Sequence, residues 1–295
     1  MKLETNFKGK TVVITGATSG IGLQAARAFA GEGAFVVGVG RSQERCRQAE
    51  EVLRANNPQA QARYLPADLS IQRQVRRLAS DIRREIAGLG FEALDILVNN
   101  AGTYAGRYIR TPEGIELTLA VNHLAPFLLT HELLPLLSAA PTGRVITISS
   151  ASHYHTWLDV RRLNKPVIFV GLWAYKVSKL ANVLFTLELN RRISHTNLRA
   201  FAVDPGLVNT EIGLKGTDWF SRNIWQMRRR SGVHPEVPAR TILYVAGAQA
   251  PQDSRDIYWY NCHPVPPSRQ ALRADLARQL WEASCELCAI QQNQP

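Results

Sequence analysis

Tyr175-Lys176-Val177-Ser178-Lys179 places a phenol and an ammonium four residues apart. On a helix those positions share a face, about 5–6 Å apart at Cβ, so the Lys179 ammonium can bias the Tyr175 hydroxyl. A free tyrosine titrates near pH 10, and a nearby positive charge stabilises its phenolate and brings that value towards neutrality. Tyr175 is then a candidate proton donor at working pH. The same spacing also occurs in ordinary solvated helical pairs, so the reading depends on what the rest of the chain supplies.

The first supporting element lies near the amino terminus. Thr11-Val12-Val13-Ile14 is a β-branched run, followed at once by Thr15-Gly16-Ala17-Thr18-Ser19-Gly20-Ile21-Gly22 and an alanine-rich helical stretch to Ala30. Strand, glycine turn and helix make a dinucleotide cradle, in which glycines admit a pyrophosphate and the helix N-terminus offers it free N–H groups. The spacing is G-x-x-x-G-x-G, and a simple tight turn is the alternative. The second strand, Ala34 to Gly40, ends where an acidic residue would hold the ribose 2′-hydroxyl of NAD. Arg41 stands there instead, which suits the 2′-phosphate of NADP, with Ser42 able to add a hydrogen bond. A solvent-exposed arginine is the other reading.

Further along, the strand Arg63 to Pro66 leads to Asp68, placed to accept from an adenine amine or to cap a helix beginning near Ser70. Leu94 to Val98 reads as a strand covered on both faces, running into Asn99-Asn100-Ala101-Gly102 at a cofactor crevice. A long helix is predicted from Thr111, as N-cap, to Leu137. Pro126 within it offers no N–H to the Asn122 carbonyl, which either leaves an acceptor for water or only bends the helix around the core. Gly143 to Ser150 is a fifth strand ending in two hydroxyls. His153 and His155 lie in the following loop with no third ligand at a metal-binding spacing. Leu198 to Val203 is a sixth strand that leads to Asp204-Pro205-Gly206. In the 213–234 stretch, Trp219, Phe220 and Trp225 precede Arg228-Arg229-Arg230, a pattern that fits a substrate lid or an interfacial segment on lipid headgroups. Ile257 to Tyr260 is a last strand, and Ser268 to Cys288 a last helix with a leucine stripe.

Composition narrows the class. At 295 residues and 45% hydrophobic, the chain can bury a core as one large α/β domain. No run of 18 apolar residues and no apolar leader occur, so neither a signal peptide nor a membrane span is expected. Four cysteines at uneven spacing point to a reducing compartment, and Cys285 and Cys288 read as buried small hydrophobes rather than a metal or redox site. The net charge of +11 does not by itself imply nucleic acid, because Arg73, Arg76, Arg77, Arg83 and Arg84 are interleaved with Asp81 and Glu85 as on a solvated helix.

Taken together, Thr15-Gly16 with Gly20 and Gly22, Asn99-Asn100-Ala101-Gly102, Asn122, Ser150, and Tyr175 with Lys179 resemble the short-chain dehydrogenase/reductase family in order and spacing. Val121-Asn122-His123-Leu124, Ser178 to Phe185, and Leu280 to Leu287 resemble its retinol dehydrogenase branch. Two departures stand out: residues 1–8 do not read as the hydrophobic anchor with which members of that branch commonly begin, and Asp204-Pro205-Gly206 stands where they commonly carry His-Pro-Gly.

The resemblance implies a single-domain doubly wound α/β fold with a parallel sheet, within which the aromatic and basic residues described above make 207–235 an expected substrate-lid insertion. It implies that Tyr175 exchanges the proton, Lys179 tunes it and holds the nicotinamide ribose, Ser150 steadies the substrate oxygen, and Asn122 holds a water. Carried onto this sequence, cofactor contacts fall at Gly16, Thr18, Ser19, Gly20, Ile21, Gly22, Arg41, Ser42, Asp68, Leu69, Asn99, Ala101, Gly102, Tyr175, Lys179, Pro205, Gly206, Val208 and Thr210.

The expected function is NADP(H)-dependent interconversion of a bulky apolar aldehyde or ketone and its alcohol, with NAD less favoured and no metal. Reduction of a carbon–carbon double bond and a non-catalytic NADP-binding scaffold are the alternatives. The expected setting is cytoplasmic, with peripheral membrane contact through 216–230 and homodimerisation both open.

Overall fold

The computed structural model describes residues 6–208, 233–247 and 256–291. An eight-stranded sheet runs in the order β3-β2-β1-β4-β5-β6-β7-β8. Its strands are β1 (Thr11–Thr15), β2 (Phe35–Gly40), β3 (Gln61–Pro66), β4 (Ile96–Asn99), β5 (Arg144–Ile148), β6 (Arg199–Asp204), β7 (Tyr258–Tyr260) and β8 (His263–Pro264). All neighbours pair in parallel except β7 and β8.

Side chains alternate across each strand, and the two cores follow that alternation. Val13, Val37, Leu97 and Val145 face one layer of helices, whereas Val12, Ile14, Val36, Val98 and Ile146 face the other. The sheet is therefore doubly wound, and its order reverses between β1 and β4. At such a reversal the loops diverge and open a crevice beyond the strands' carboxyl ends.

The helices are α1 (Gly20–Gly31), α2 (Gln43–Asn56), α3 (Gln72–Gly88), the single turn α4 (Leu117–Leu119), α5 (Ala125–Ala139), α6 (Gly171–Arg192), α7 (Glu236–Ala246) and α8 (Ala274–Leu287). On α3, Val75, Leu78, Ala79, Ile82 and Ile86 form the buried stripe, each large side chain contributing about 1.5–3 kcal/mol by leaving water. Its arginines lie on the other face, where Arg77 and Arg84 pair with Asp81.

Several helix starts differ from the sequence expectation, and side-chain acceptors explain why. Helix α3 begins at Gln72 because the Glu113 carboxylate accepts from the Gln72 N–H at 2.7 Å and the Arg73 N–H at 3.2 Å. Asp68 instead closes a turn, accepting from the Ser70 N–H at 2.9 Å and its hydroxyl at 2.7 Å. Thr111 does not cap the long helix. It closes a loop with Ile115, and the Glu116 carboxylate caps α4 by accepting from the Thr118 and Leu119 N–H groups at 2.9 and 2.7 Å. A π turn over Ala120–Leu124 then joins α4 to α5, with the Ala125 N–H reaching back to the Ala120 carbonyl. The kink expected at Pro126 thus takes the form of a register shift just ahead of it. At the carboxyl end, Ser268 caps a short 3₁₀ turn rather than α8, which starts at Ala274. Cys285 and Cys288 are buried thiols, and burial pushes Cys288 up to about 12.

His123 lies fully buried on the π turn. Ser284 gives its own hydroxyl proton to the Leu280 carbonyl at 2.7 Å, so the His123 Nε2 donates to the Ser284 oxygen at 2.9 Å. Burial pulls the ring's pKa down to about 4, against a smaller opposing pull from Asn182. An unfolded histidine titrates near 6.5, so between pH 6.5 and 4 the unfolded chain binds a proton that the folded chain refuses. This stability is complete above pH 6.5 and falls as pH drops, by about 2–3 kcal/mol at pH 4.5. Urea unfolding at pH 7 and 4.5 is expected to show that loss, and a smaller one in His123→Gln. An equal loss in both proteins would remove His123 as its source.

Candidate active site

Helix α6 carries Tyr175 and Lys179 side by side, both buried. The Lys179 Nζ stands 5.6 Å from the centre of the Tyr175 ring and donates to the Ile148 carbonyl at 3.0 Å. That carbonyl, at the end of β5, also accepts from the Asn182 Nδ2 at 3.1 Å. Burial pulls the Lys179 ammonium down to about 8, while the Asp204 carboxylate works in the opposite direction. The lysine is a desolvated charge with a fixed direction rather than a solvated surface group.

Asn122 reaches the same helix from the π turn. Its Oδ1 accepts from the Thr103 N–H at 2.7 Å, and its Nδ2 donates to the Thr103 carbonyl at 3.0 Å and to the Ser178 Oγ at 3.0 Å. Ser178 in turn donates to the Tyr175 carbonyl at 2.7 Å. The Asn122 side chain therefore ties the crevice loop to α6. In a regular α register its main-chain carbonyl would seek the N–H that Pro126 lacks.

Ser149 and Ser150 follow β5, and Ser149 donates its Oγ to the Lys179 carbonyl at 2.8 Å. The Ser150 Oγ caps a 3₁₀ turn over Ala151–His155, accepting from the Ser152 N–H at 3.2 Å and donating to the Ser152 Oγ at 3.1 Å. His153, read from the sequence as a loop or pocket residue, is buried there and accepts from the Ser268 N–H through Nε2 at 3.0 Å. Its other nitrogen therefore carries the proton and donates to the Ser150 carbonyl at 2.8 Å. His155 lies exposed on the same turn. Among the described residues, no group of three or more His, Cys, Asp or Glu could hold a metal ion.

The glycine turn meets the geometric demands of a nucleotide cradle. Gly16 has φ +67° and Gly20 φ +56°, a region that favours glycine. A Cβ on Gly22 would sit 2.4 Å from the Gly16 carbonyl oxygen and 2.5 Å from the Asn100 Nδ2. The turn is locked to β4 as the Thr15 Oγ1 accepts from the Asn100 and Ala101 N–H groups at 3.0 Å each, and the Asn100 Nδ2 donates to the Thr15 carbonyl at 2.8 Å. Ser19 makes no side-chain cap on α1, which leaves the helix's first N–H groups open to an anion. Asn99 donates to the Thr130 Oγ1 at 3.0 Å, while its buried Oδ1 has no protein partner. These features fit a dinucleotide phosphate bridge.

Thr18 and Ile21 line this turn, the Thr18 methyl lying where a Cβ on Gly40 would fall, 2.4 Å away. Arg41 is exposed just past β2, and Ser42 caps α2 by accepting from the Arg45 N–H at 3.4 Å. Asp68 and Leu69 follow β3, and Ala101 and Gly102 follow β4. Pro205 and Gly206 follow β6, with Gly206 at φ +70° and its N–H donating to the Asp204 Oδ1 at 2.9 Å. Val208 forms a parallel bridge with Val233. Thr210 and the 216–230 segment lie outside the described residues. All the others lie at the carboxyl edge of the sheet or on the helix beside it.

Sequence reasoning missed Thr103, which acts through its backbone alone, and the contacts of Asp204, whose position before Pro-Gly at a strand end was the available signal. A cavity of about 530 Å³ lies elsewhere, between α5, α6 and α8, lined by Phe127, Phe185, Trp281 and neighbours, and none of the chemistry-bearing residues borders it.

Comparison with known proteins agrees with this geometry. Residues 10–219 match the family model described as short chain dehydrogenase. The chain is 39% identical over 295 aligned residues to human Dehydrogenase/reductase SDR family member 13, covering 97% of this chain and 74% of that protein. It is 34% identical to human Retinol dehydrogenase 13, with coverage of 98% and 87%. A crystal structure of a metagenomic short-chain oxidoreductase in complex with NADP superposes with a TM-score of 0.64 at 25% identity, covering 89% of this chain and 99% of that one. The sheet order and matches over nearly its full length establish that the chain belongs to the short-chain dehydrogenase/reductase family of oxidoreductases.

Proposed function

We propose that this chain is an NADP(H)-dependent oxidoreductase that interconverts a bulky apolar aldehyde or ketone and the corresponding alcohol. The observation that carries the reading is the buried Lys179 ammonium over the Tyr175 ring, at the end of the sheet where the glycine turn also lies. Buried charges are costly, and a strongly desolvated one beside a proton donor at the ligand end of the sheet is a mark of acid–base chemistry.

When bound, the reduced nicotinamide supplies the hydride. Tyr175 gives its phenolic proton to the substrate oxygen in the reductive direction and takes it back in the oxidative one. Lys179 stabilises the phenolate left behind and would hold the nicotinamide ribose hydroxyls. Ser150 turns its Oγ from Ser152 to the substrate oxygen, where negative charge develops. Asn122 orders the water that returns protons to Lys179.

Gly16 to Gly22 and the N-terminus of α1 would hold the pyrophosphate. Asp68, Leu69, Asn99, Ala101 and Gly102 would flank the adenosine and nicotinamide halves, with Pro205, Gly206, Val208 and Thr210 closing over the latter. Arg41, free of acidic partners among the described contacts, would bind a 2′-phosphate, and the NADP complex of the similar oxidoreductase supports that preference.

An apolar substrate is supported by the names of the retinol dehydrogenase relatives and by the rim of the site. On the loop entering α6, Val167 is 75% and Ile168 80% exposed, with Trp157, Val170 and Leu172 also presenting apolar surface. Residues 207–235 would cover that rim as a lid within one domain and bring 216–230 against lipid. No described helix is long and apolar enough to cross a membrane. Four free thiols fit a cytoplasmic, reducing setting.

Tyr175→Phe is expected to lower kcat by about 10²–10⁴-fold, the usual worth of a general acid, while NADPH still binds. Near wild-type turnover would take Tyr175 out of the mechanism. Arg41→Asp should shift the NADPH over NADH preference by about 10- to 100-fold towards NADH; an unmoved ratio of kcat/KM values would place 2′-phosphate recognition elsewhere. Deleting 219–230 is expected to change substrate range or binding to anionic liposomes, and a variant unaltered in both would make the segment purely structural.

A further inference from the structure

The family resemblance gives no role to Asp204, yet it is a buried carboxylate at the carboxyl end of β6, immediately before Pro205-Gly206. We propose that Asp204 is a positioning residue for the catalytic pair: its carboxylate, fixed by Tyr258 and the Gly206 amide, is the counter-charge to the Lys179 ammonium beside Tyr175.

Two sets of contacts bring the two groups into one neighbourhood. Lys179 donates to the Ile148 carbonyl at 3.0 Å, and Ile148 is the register partner of Val203, the residue before Asp204. The Ser149 N–H donates to the Val203 carbonyl at 2.8 Å, and the Ser149 Oγ to the Lys179 carbonyl at 2.8 Å. The carboxylate itself cannot swing away. Its Oδ1 accepts from the Gly206 N–H at 2.9 Å and its Oδ2 from the Tyr258 hydroxyl at 2.9 Å.

The other titratable groups nearby carry no charge that could substitute. Tyr258 on β7 is held protonated by burial, and Tyr154 on the turn after β5 is pushed the same way by the same cause. His153 on that turn meets Tyr258 edge to face with ring centres 4.7 Å apart, and burial pulls it towards the neutral form. Tyr175 lies on the same helix as Lys179, the ammonium 5.6 Å from its ring centre. Among the described residues, Asp204 is thus the charge that offsets the desolvation of Lys179, which would otherwise drive the lysine towards the free amine. The same carboxylate orders the Gly206 turn, so one group sets both the charge beside Tyr175 and the start of the strand-end loop proposed to meet the nicotinamide.

The proposal rests on the reading of Tyr175 and Lys179 as the working pair, and its test does not need turnover. With lysine labelled at ¹³Cε and ¹⁵Nζ, the Lys179 signal is assigned by its loss in Lys179→Met and followed by NMR through a pH titration. Asp204→Asn, nearly isosteric and still able to accept from Gly206, should move the Lys179 titration down by about one pH unit. Asp204→Ser, a second neutral variant for use if the first does not fold, should move it the same way, whereas Tyr258→Phe keeps the charge and should move it less. An unmoved Lys179 titration in a folded neutral variant overturns the proposal. If the titration moves but Tyr175→Phe still turns over a medium-chain aldehyde with NADPH, the charge coupling stands and the catalytic reading fails instead.

Discussion

A single desolvated ammonium organises this molecule. Lys179 sits inside α6, out of water, with the Ile148 carbonyl and the Tyr175 ring as its immediate neighbours. Placing a cation there is costly, and the fold offsets that cost by surrounding it with oriented dipoles and one nearby carboxylate. Those partners come from several elements: the end of β5 and the residue after it supply Ile148 and Ser149, β6 supplies Asp204, and α6 itself supplies Tyr175 and Ser178. The π turn ahead of α5 adds Asn122, whose bridge to Thr103 and Ser178 couples the crevice loop to the same helix. Without the parallel sheet that brings the ends of β5 and β6 into register, the lysine would have no fixed surroundings.

The sheet's reversal between β1 and β4 gives the second half of the site. It leaves the glycine turn beside the Asn99 to Gly102 loop, and Thr15 and Asn100 bolt the two together through hydrogen bonds of 2.8 and 3.0 Å. The absence of a side chain at Gly22 is a packing requirement there, since a methyl would collide with both the turn and Asn100. The glycine turn and the Tyr175–Lys179 pair thus share one edge of the sheet, the arrangement that the proposed hydride transfer between two bound molecules requires.

Much of this was legible in the sequence because it rests on local chemistry. The β-branched runs located the parallel strands to within a residue or two, the glycine spacing located the first turn, and the i, i+4 pair located α6. What stayed hidden depends on long separations. Glu113 caps α3 from 41 residues away, so neither Asp68 nor Ser70 could reveal where that helix starts. Thr111 looked like an N-cap because Thr-Pro is a common helix opening, but Glu116 offered two backbone donors a charged acceptor and took the role. His153 reads as an unremarkable loop histidine until β8 and the segment after it bring the Ser268 N–H to its ring. Asp204 was visible only as a departure from a familiar tripeptide, and its meaning emerged once Tyr258 and Gly206 were seen on its two oxygens.

The central claim is that Tyr175 and Lys179 act as one unit, and a double-mutant cycle in kcat/KM for NADPH-dependent carbonyl reduction tests it most directly. The account predicts that Tyr175→Phe combined with Lys179→Met is no slower than the worse single variant, because either change already disables the pair. Losses that multiply across the two sites would contradict it and show two groups working independently.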